Sequence, residues 1–151
     1  MTDTPLSPFV EEIPTGRTHL AHAAMAELRP FLTSADAFAK TVDDVLRPEG
    51  YRLAGVFEGP DRPARAVAGF RVGTSLMWGR YLYVDDLVTV ADARGSGFGR
   101  MVMDWVRAEA RAQGCGQVHL DSGTDRHPAH RFYLSSGMRI PAFHFTEVLD
   151  D

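Results

Sequence analysis

The sequence predicts a mixed α/β fold, with a largely antiparallel central sheet and helices on both of its faces. Three observations carry that prediction. Between Tyr81 and Gln113 the apolar period changes, across a glycine-rich turn, from that of a strand (Val84, Leu87, Val88, Val90) to that of a helix (Phe98, Met101, Val102, Trp105, Val106). Ahead of this stretch, YRLAGVFE and ARAVAGFRV flank the turn-rich Gly59-Pro60-Asp61-Arg62-Pro63, the pattern of an antiparallel hairpin. Behind it, Gly114-Cys115-Gly116 stops the helix and QVHLD reads as a further strand, which completes a βαβ unit.

In chain order, SPFVEEI is a short strand ending at Pro14-Thr15-Gly16. From Thr18, the residues Leu20, Ala23, Ala24 and Leu28 recur at helical spacing until Pro30. Ser34 can N-cap a second helix through Phe38, Val42, Val45 and Leu46, closed by Pro48-Glu49-Gly50. The hairpin follows, and the connector GTSLMWGR leads into the strand from Tyr81 to Val90. After the central helix and QVHLD, a last helix runs from about His127 to Ser136 and stops at Gly137, and the alternating AFHFTEVL reads as a final strand.

A chain of 151 residues suits one domain, residues 1–151, and can bury roughly two-thirds of its unfolded surface, enough for a core without metal or disulfide staples. The single cysteine, Cys115, excludes an intramolecular disulfide, and MTDTPLSPFVEE has neither a basic nor an apolar leader segment, so a cytoplasmic setting is expected. No apolar run approaches the ~20 residues that span a bilayer, so no membrane partner is expected. A formal net charge of −4 argues against nucleic acid as a partner, although local arginines can still serve one phosphorylated ligand.

The glycines between strand and helix are the first chemical signal. A helix start leaves backbone N–H groups without partners at the positive end of the peptide dipoles, and glycines let a phosphate approach the main chain. The spacing excludes a P-loop, because Gly99 is followed by Arg100-Met101 rather than Lys-Ser/Thr. It also excludes a dinucleotide fingerprint, because no third glycine follows at the required distance. What fits is Arg/Gln-x-x-Gly-x-Gly/Ala, here Arg94-Gly95-Ser96-Gly97-Phe98-Gly99 after DDLVTV. A second motif lies downstream, where Ala129-His130-Arg131-Phe132-Tyr133-Leu134-Ser135-Ser136-Gly137-Met138 matches Ala-x-x-Phe/Leu-Tyr-x-x-x-Gly-Phe except for Met138 at the last position.

Together the two motifs resemble the GNAT superfamily of N-acetyltransferases, over roughly residues 50–148. The resemblance implies acetyl-CoA as co-substrate, with its pyrophosphate on Arg94, Gly95, Ser96, Gly97, Phe98, Gly99 and Arg100 and its pantetheine amides on the main chain of Leu87, Val88 and Thr89. Members commonly place asparagine, to contact the pantetheine arm, where this chain has Arg126. The resemblance also implies acetyl transfer to a primary amine by direct attack in a ternary complex, with Tyr133 as the acid that returns a proton to the thiolate, a phenol's ordinary pKa near ~10 being close to that of a thiol.

Asp85 and Asp86 stand where several small-amine members carry an acidic pair. Strand alternation sends their carboxylates to opposite faces, Asp86 with Leu82, Val84, Val88 and Val90 and Asp85 with Tyr81, Tyr83 and Leu87, and a bulge between them would exchange these assignments. Either one, in a cleft, can attract an ammonium and take its proton directly or through water, and an acidic cleft favours amines over acidic substrates. Asp121 is a further acidic candidate. His119, His127 and His130 with Asp121 lack the spacing of a zinc motif, so no metal is expected. Two other readings stay open: a noncatalytic acyl-CoA-binding module of the same fold, and an unrelated phosphate-binding domain. A homodimer paired through an edge strand such as AFHFTEVL is the oligomer the pattern allows.

Overall fold

The protein is described from a computed structural model covering residues 7–150; the first six residues, which open the stretch read as lacking a leader, and Asp151 lie outside them. Five strands form one mixed sheet in sequence order: β1 (Phe9–Glu12), β2 (Arg52–Phe57), β3 (Ala66–Ser75), β4 (Gly79–Thr89) and β5 (Gln117–Leu120). The first four pair antiparallel, through Phe9 with Phe57, Ala54 with Ala68 and Val67 with Val88. The connector GTSLMWGR is shorter than its sequence suggests, because Gly73–Ser75 and Gly79–Tyr81 continue the β3–β4 ladder and leave only Leu76, Met77 and Trp78 in the turn.

Helix α1 (His22–Leu28) follows a 3₁₀ turn at Thr18–Ala21. Helix α2 (Ala35–Thr41) starts at Ser34, whose Oγ accepts from the Ala37 N–H at 3.2 Å, and runs on through a π turn to Leu46. Helix α3 (Phe98–Ala112) turns Phe98, Val102, Met103, Val106 and Ala110 inward at helical spacing. Each large apolar side chain buried there is worth roughly 1.5–3 kcal/mol over exposure. Met101 and Trp105, which their helical spacing groups with the core residues Phe98, Val102 and Val106, sit at the core's margin, where Trp105 packs on Phe70 at 6.0 Å between ring centroids.

The two faces of the sheet follow from that contact. Phe70 points to α3, so its neighbours Gly69 and Arg71 point to the opposite face. Arg29, which caps α1, reaches that opposite face through Asp86, the partner of Gly69. Helices therefore cover both faces.

A buried polar knot ties the first helices to the sheet. Thr18 is 1% exposed; its hydroxyl donates to Asp43 Oδ1 at 2.7 Å and accepts from Arg47 Nη2, which also donates to the Ile13 carbonyl. Burial raises the Asp43 pKa, but the bonds from Thr18 and Arg47 and the arginine's charge outweigh it, so the net shift is downward. A carboxyl with a depressed folded pKa contributes stability that is present above its unfolded pKa and is lost as pH falls through the folded one. Thr18→Val is expected to cost about 1–3 kcal/mol at pH 7, with a gap to wild type that narrows below pH ~4, as thermal melts at the two pH values would show.

The chain forms two compact units, Met1–His119 and Leu120–Asp151. In the second, helix α4 (His127–Ser135) has Pro128 in its first turn and buries no residue fully. Contrary to the sequence expectation, AFHFTEVL forms no strand, and the chain from Met138 to Asp150 has no regular secondary structure. Alternation supplies an apolar side, but a strand also needs a partner ladder and a surface to bury that side. Here Phe143 and Phe145 are 86% and 90% exposed. No helix among the described residues is long and apolar enough to cross a membrane.

Candidate active site

The centre of the site is an irregularity in β4. Gly69 pairs with Asp86, but the next residue, Phe70, pairs with Val84, so Asp85 is an extra residue without a cross-strand partner. This β-bulge overrides simple alternation. Paired residues share a face, so Tyr81, Tyr83 and Asp86 lie with Gly73, Arg71 and Gly69. Asp86 thus leaves the face of Leu82 and Val84 on which strict alternation put it, and the Asp85 side chain also comes to Arg71.

Each carboxylate is held by an arginine. Asp85 takes two bonds from Arg71, Nη2 to Oδ1 at 2.8 Å and Nε to Oδ2 at 3.0 Å. Asp86 Oδ1 accepts from Arg29 Nη2 at 2.9 Å and Nε at 3.2 Å, and its Oδ2 accepts from Tyr51 Oη at 2.7 Å. Arg29 Nη2 also reaches the Asp85 carbonyl at 3.3 Å. Burial, then the charge of Asp86 and its hydrogen bond, push the Tyr51 phenol far up, so it stays a donor. Bonding to Asp85 raises the Arg71 guanidinium likewise. The cleft is therefore not the bare acidic one expected, since two guanidiniums balance the two carboxylates.

Gly69 makes this arrangement sterically possible. A Cβ there would fall 1.8 Å from Tyr51 Oη and 2.4 Å from its Cζ. Only glycine lets the phenol pass over β3 to Asp86.

Downstream, the backbones of Leu87, Val88 and Thr89 pair on one side with Ala68, Val67 and Ala66. Their other side faces toward β5, which has four residues against the eleven of β4. It enters beside Arg80, where the Gly116 N–H donates to the Arg80 carbonyl at 2.9 Å. Counted in parallel from that bond, β5 is used up by about Val84, before the Leu87–Thr89 segment.

After a short 3₁₀ turn at Ala91–Ala93 comes the glycine loop. Gly95 has φ +84° and Gly97, the N-cap of α3, φ +87°. A Cβ at either would meet no protein atom within 4 Å, so the left-handed backbone, not crowding, calls for glycine. The Ser96 N–H and hydroxyl both donate to the Ala93 carbonyl and close the turn. Gly97 has no side chain to cap the helix, so the N–H groups of Phe98, Gly99 and Arg100 have no intrahelical acceptor. Phe98 anchors the helix start in the core, while Arg94 and Arg100 are exposed. The loop has the donor set an anion needs.

In the second unit, Tyr133 is half-buried on α4, and burial raises its pKa against a smaller lowering by Arg126. Arg126 itself is exposed at the N-cap. Asp121 meets His144 Nδ1 at 3.0 Å, and His130 Nε2 lies 2.7 Å from the Gly123 carbonyl. In the first unit, His119 stacks on Trp78 at 3.7 Å. Cys115 is half-buried in the turn before β5.

The model of the acetyltransferase (GNAT) family matches residues 18–138. The chain belongs to the GNAT family. It is 33% identical over 126 residues to the uncharacterized N-acetyltransferase YhdJ of Bacillus subtilis (strain 168), an alignment covering 83% of this chain and 87% of YhdJ. It is 35% identical over 66 residues to the aminoalkylphosphonate N-acetyltransferase of Salmonella typhimurium, covering 44% of this chain and 43% of that protein. The ribosomal-protein-alanine N-acetyltransferase of Brucella melitensis shares the fold, with a TM-score of 0.79, 14% identity and coverage of 95% of this chain and all of that one.

Within this GNAT fold, sequence reasoning missed Arg29, Tyr51, Gly69 and Arg71. The arginines and tyrosine come from other elements, Arg29 lying 57 residues from Asp86. One signal was legible: Gly69 stands alone inside a strand pattern, which marks a bulge or a close approach.

Proposed function

We propose that this GNAT protein is an acetyl-CoA-dependent N-acetyltransferase that acetylates a primary amine by direct attack in a ternary complex, in a reducing, cytoplasmic setting. The observation that carries the reading is the uncapped start of α3 behind two left-handed glycines, immediately after a β4 segment that outlasts β5. That geometry suits a long ligand with an anion at one end and amides behind it. The pyrophosphate sits on the loop from Arg94 to Arg100 and takes the N–H groups of Phe98, Gly99 and Arg100, with the arginine charges beside them. The pantetheine amides take the main chain of Leu87 to Thr89. Arg126, at the N-cap of α4, serves the pantetheine arm in place of the family's asparagine. The match to residues 18–138 runs through both units, which supports reading 1–151 as one catalytic domain.

Laid along β4 in that direction, the acyl end comes to the bulge. Asp85 or Asp86 draws in the ammonium and takes its proton, directly or through water. The neutral nitrogen attacks the thioester carbonyl carbon, the C–S bond breaks, Tyr133 gives its proton to the departing thiolate, and the proton the nitrogen sheds on becoming an amide returns through water to the Tyr133 phenolate. The names of both curated relatives support N-acetyl transfer.

Calorimetric titration with acetyl-CoA tests this, with dephospho-coenzyme A and adenosine diphosphate as controls. Micromolar binding that needs the pantetheine arm is expected, and no binding of any coenzyme A species would end the proposal. The second reading, a noncatalytic acyl-CoA-binding module, is favoured if acetyl-CoA binds but no amine releases free thiol.

A further inference from the structure

We infer that the acceptor is a small amine that also carries an anionic group, a carboxylate or phosphonate a few bonds from the nitrogen, with Arg29 and Arg71 as the partners of that anion. This rests on the acetyl-transfer reading and names its substrate class. Two carboxylates alone would recruit a polycation, and the two guanidiniums here counter that attraction. Asp85 and Asp86 are matched one for one by guanidiniums, and both arginines touch Asp85.

The depth of the four groups gives an order of encounter. The Arg29 and Arg71 side chains are 42% and 48% exposed, and those of Asp86 and Asp85 19% and 21%. A ligand entering from solvent meets the arginines first. Arg71 spends Nε and Nη2 on Asp85, and Arg29 spends the same two nitrogens on Asp86 and the Asp85 carbonyl, so Nη1 of each takes no part in these bonds. A guanidinium has five donor hydrogens in a planar fork suited to carboxylate and phosphonate oxygens. The ligand's anion takes the outer N–H groups, and its ammonium lies inward on the carboxylate lone pairs. A zwitterion adds no net charge beside the two matched ion pairs, whereas a polyamine brings several positive charges against one further carboxylate near Arg71, that of Glu49. Tyr51, packed over Gly69, keeps Asp86 in place while this happens.

The test is a substrate panel at saturating acetyl-CoA, followed by thiol release: β-alanine, 2-aminoethylphosphonate, n-propylamine and spermidine. In the wild type, kcat/KM for the two anion-bearing amines is expected to exceed that for the other two by roughly tenfold or more. Arg71→Gln and Arg29→Gln should shrink that ratio mainly through KM, and Arg71→Lys should restore part of it, with acetyl-CoA affinity unchanged throughout. Equal or better use of n-propylamine or spermidine by the wild type overturns the inference and leaves the acetyltransferase reading standing. So does a ratio that neither glutamine variant moves. Acetyl-CoA binding without transfer to any of the four overturns both. The wild-type comparison needs no variant to fold.

Discussion

Gly69→Ala is expected to melt well below the wild type and to lose acetyl transfer with the same added carbon. The new Cβ would sit 1.8 Å from Tyr51 Oη, 2.4 Å from Cζ and 2.8 Å from Cε2, and the tyrosine is only 5% exposed. A flexible side-chain tip could step aside; a buried ring bonded at its far end has no such freedom. Overpacking of this kind costs roughly 1–3 kcal/mol. If the ring swings out instead, Asp86 loses its 2.7 Å donor, and an under-bonded, partly buried carboxylate costs about 1–3 kcal/mol of its own. At roughly 2–4 °C per kcal/mol for a chain of this size, a drop in Tm of about 2–12 °C follows by either route. Calorimetry and an amine-acetylation assay on the same preparation check it. An unchanged Tm would mean that Tyr51 does not cross β3 at Gly69.

The second large effect is on turnover. Tyr133→Phe should lower kcat by about 10²–10⁴, the range typical of losing a positioned proton donor, and leave the acetyl-CoA dissociation constant where it was. The sign of the pKa shift sets the pH dependence. Burial raises the Tyr133 phenol, with Arg126 pulling the other way, so the group stays protonated through neutral and mildly alkaline pH. An acid must hold its proton to act, so Tyr133 should impose no alkaline loss of kcat below pH ~10. Equal turnover in the phenylalanine variant would remove Tyr133 from the mechanism, and weakened acetyl-CoA binding would recast it as a packing residue.

How much of this was legible in the sequence depends on the range of the interactions involved. The switch of period at Gly95–Gly99, the hairpin around Pro60 and the Ser34 cap are local, written within one turn or one strand, and the structure has them. The acidic pair was found, but its orientation was not, because a bulge is decided by the strand opposite and Asp85 has no partner in β3. The arginines that change the charge of the cleft lie 57 and 14 residues from the acids they hold, beyond the reach of any periodicity. The tail failed for the complementary reason. Ile140, Phe143, Phe145 and Val148 have the composition of a strand, but hydrogen-bonded pairing belongs to two segments, and the sequence of one cannot supply the other.

The bulge also bears on how long this gene segment has to be. Because Val84 faces Phe70 and Asp86 faces Gly69, striking Asp85 from the chain would leave every partnership of β4 with β3 nominally intact. Ladder pairing therefore accounts for ten of the eleven codons between Gly79 and Thr89, one being surplus to it. At that codon a deletion, normally the harshest change a strand can suffer, spares the ladder with β3 and removes a carboxylate.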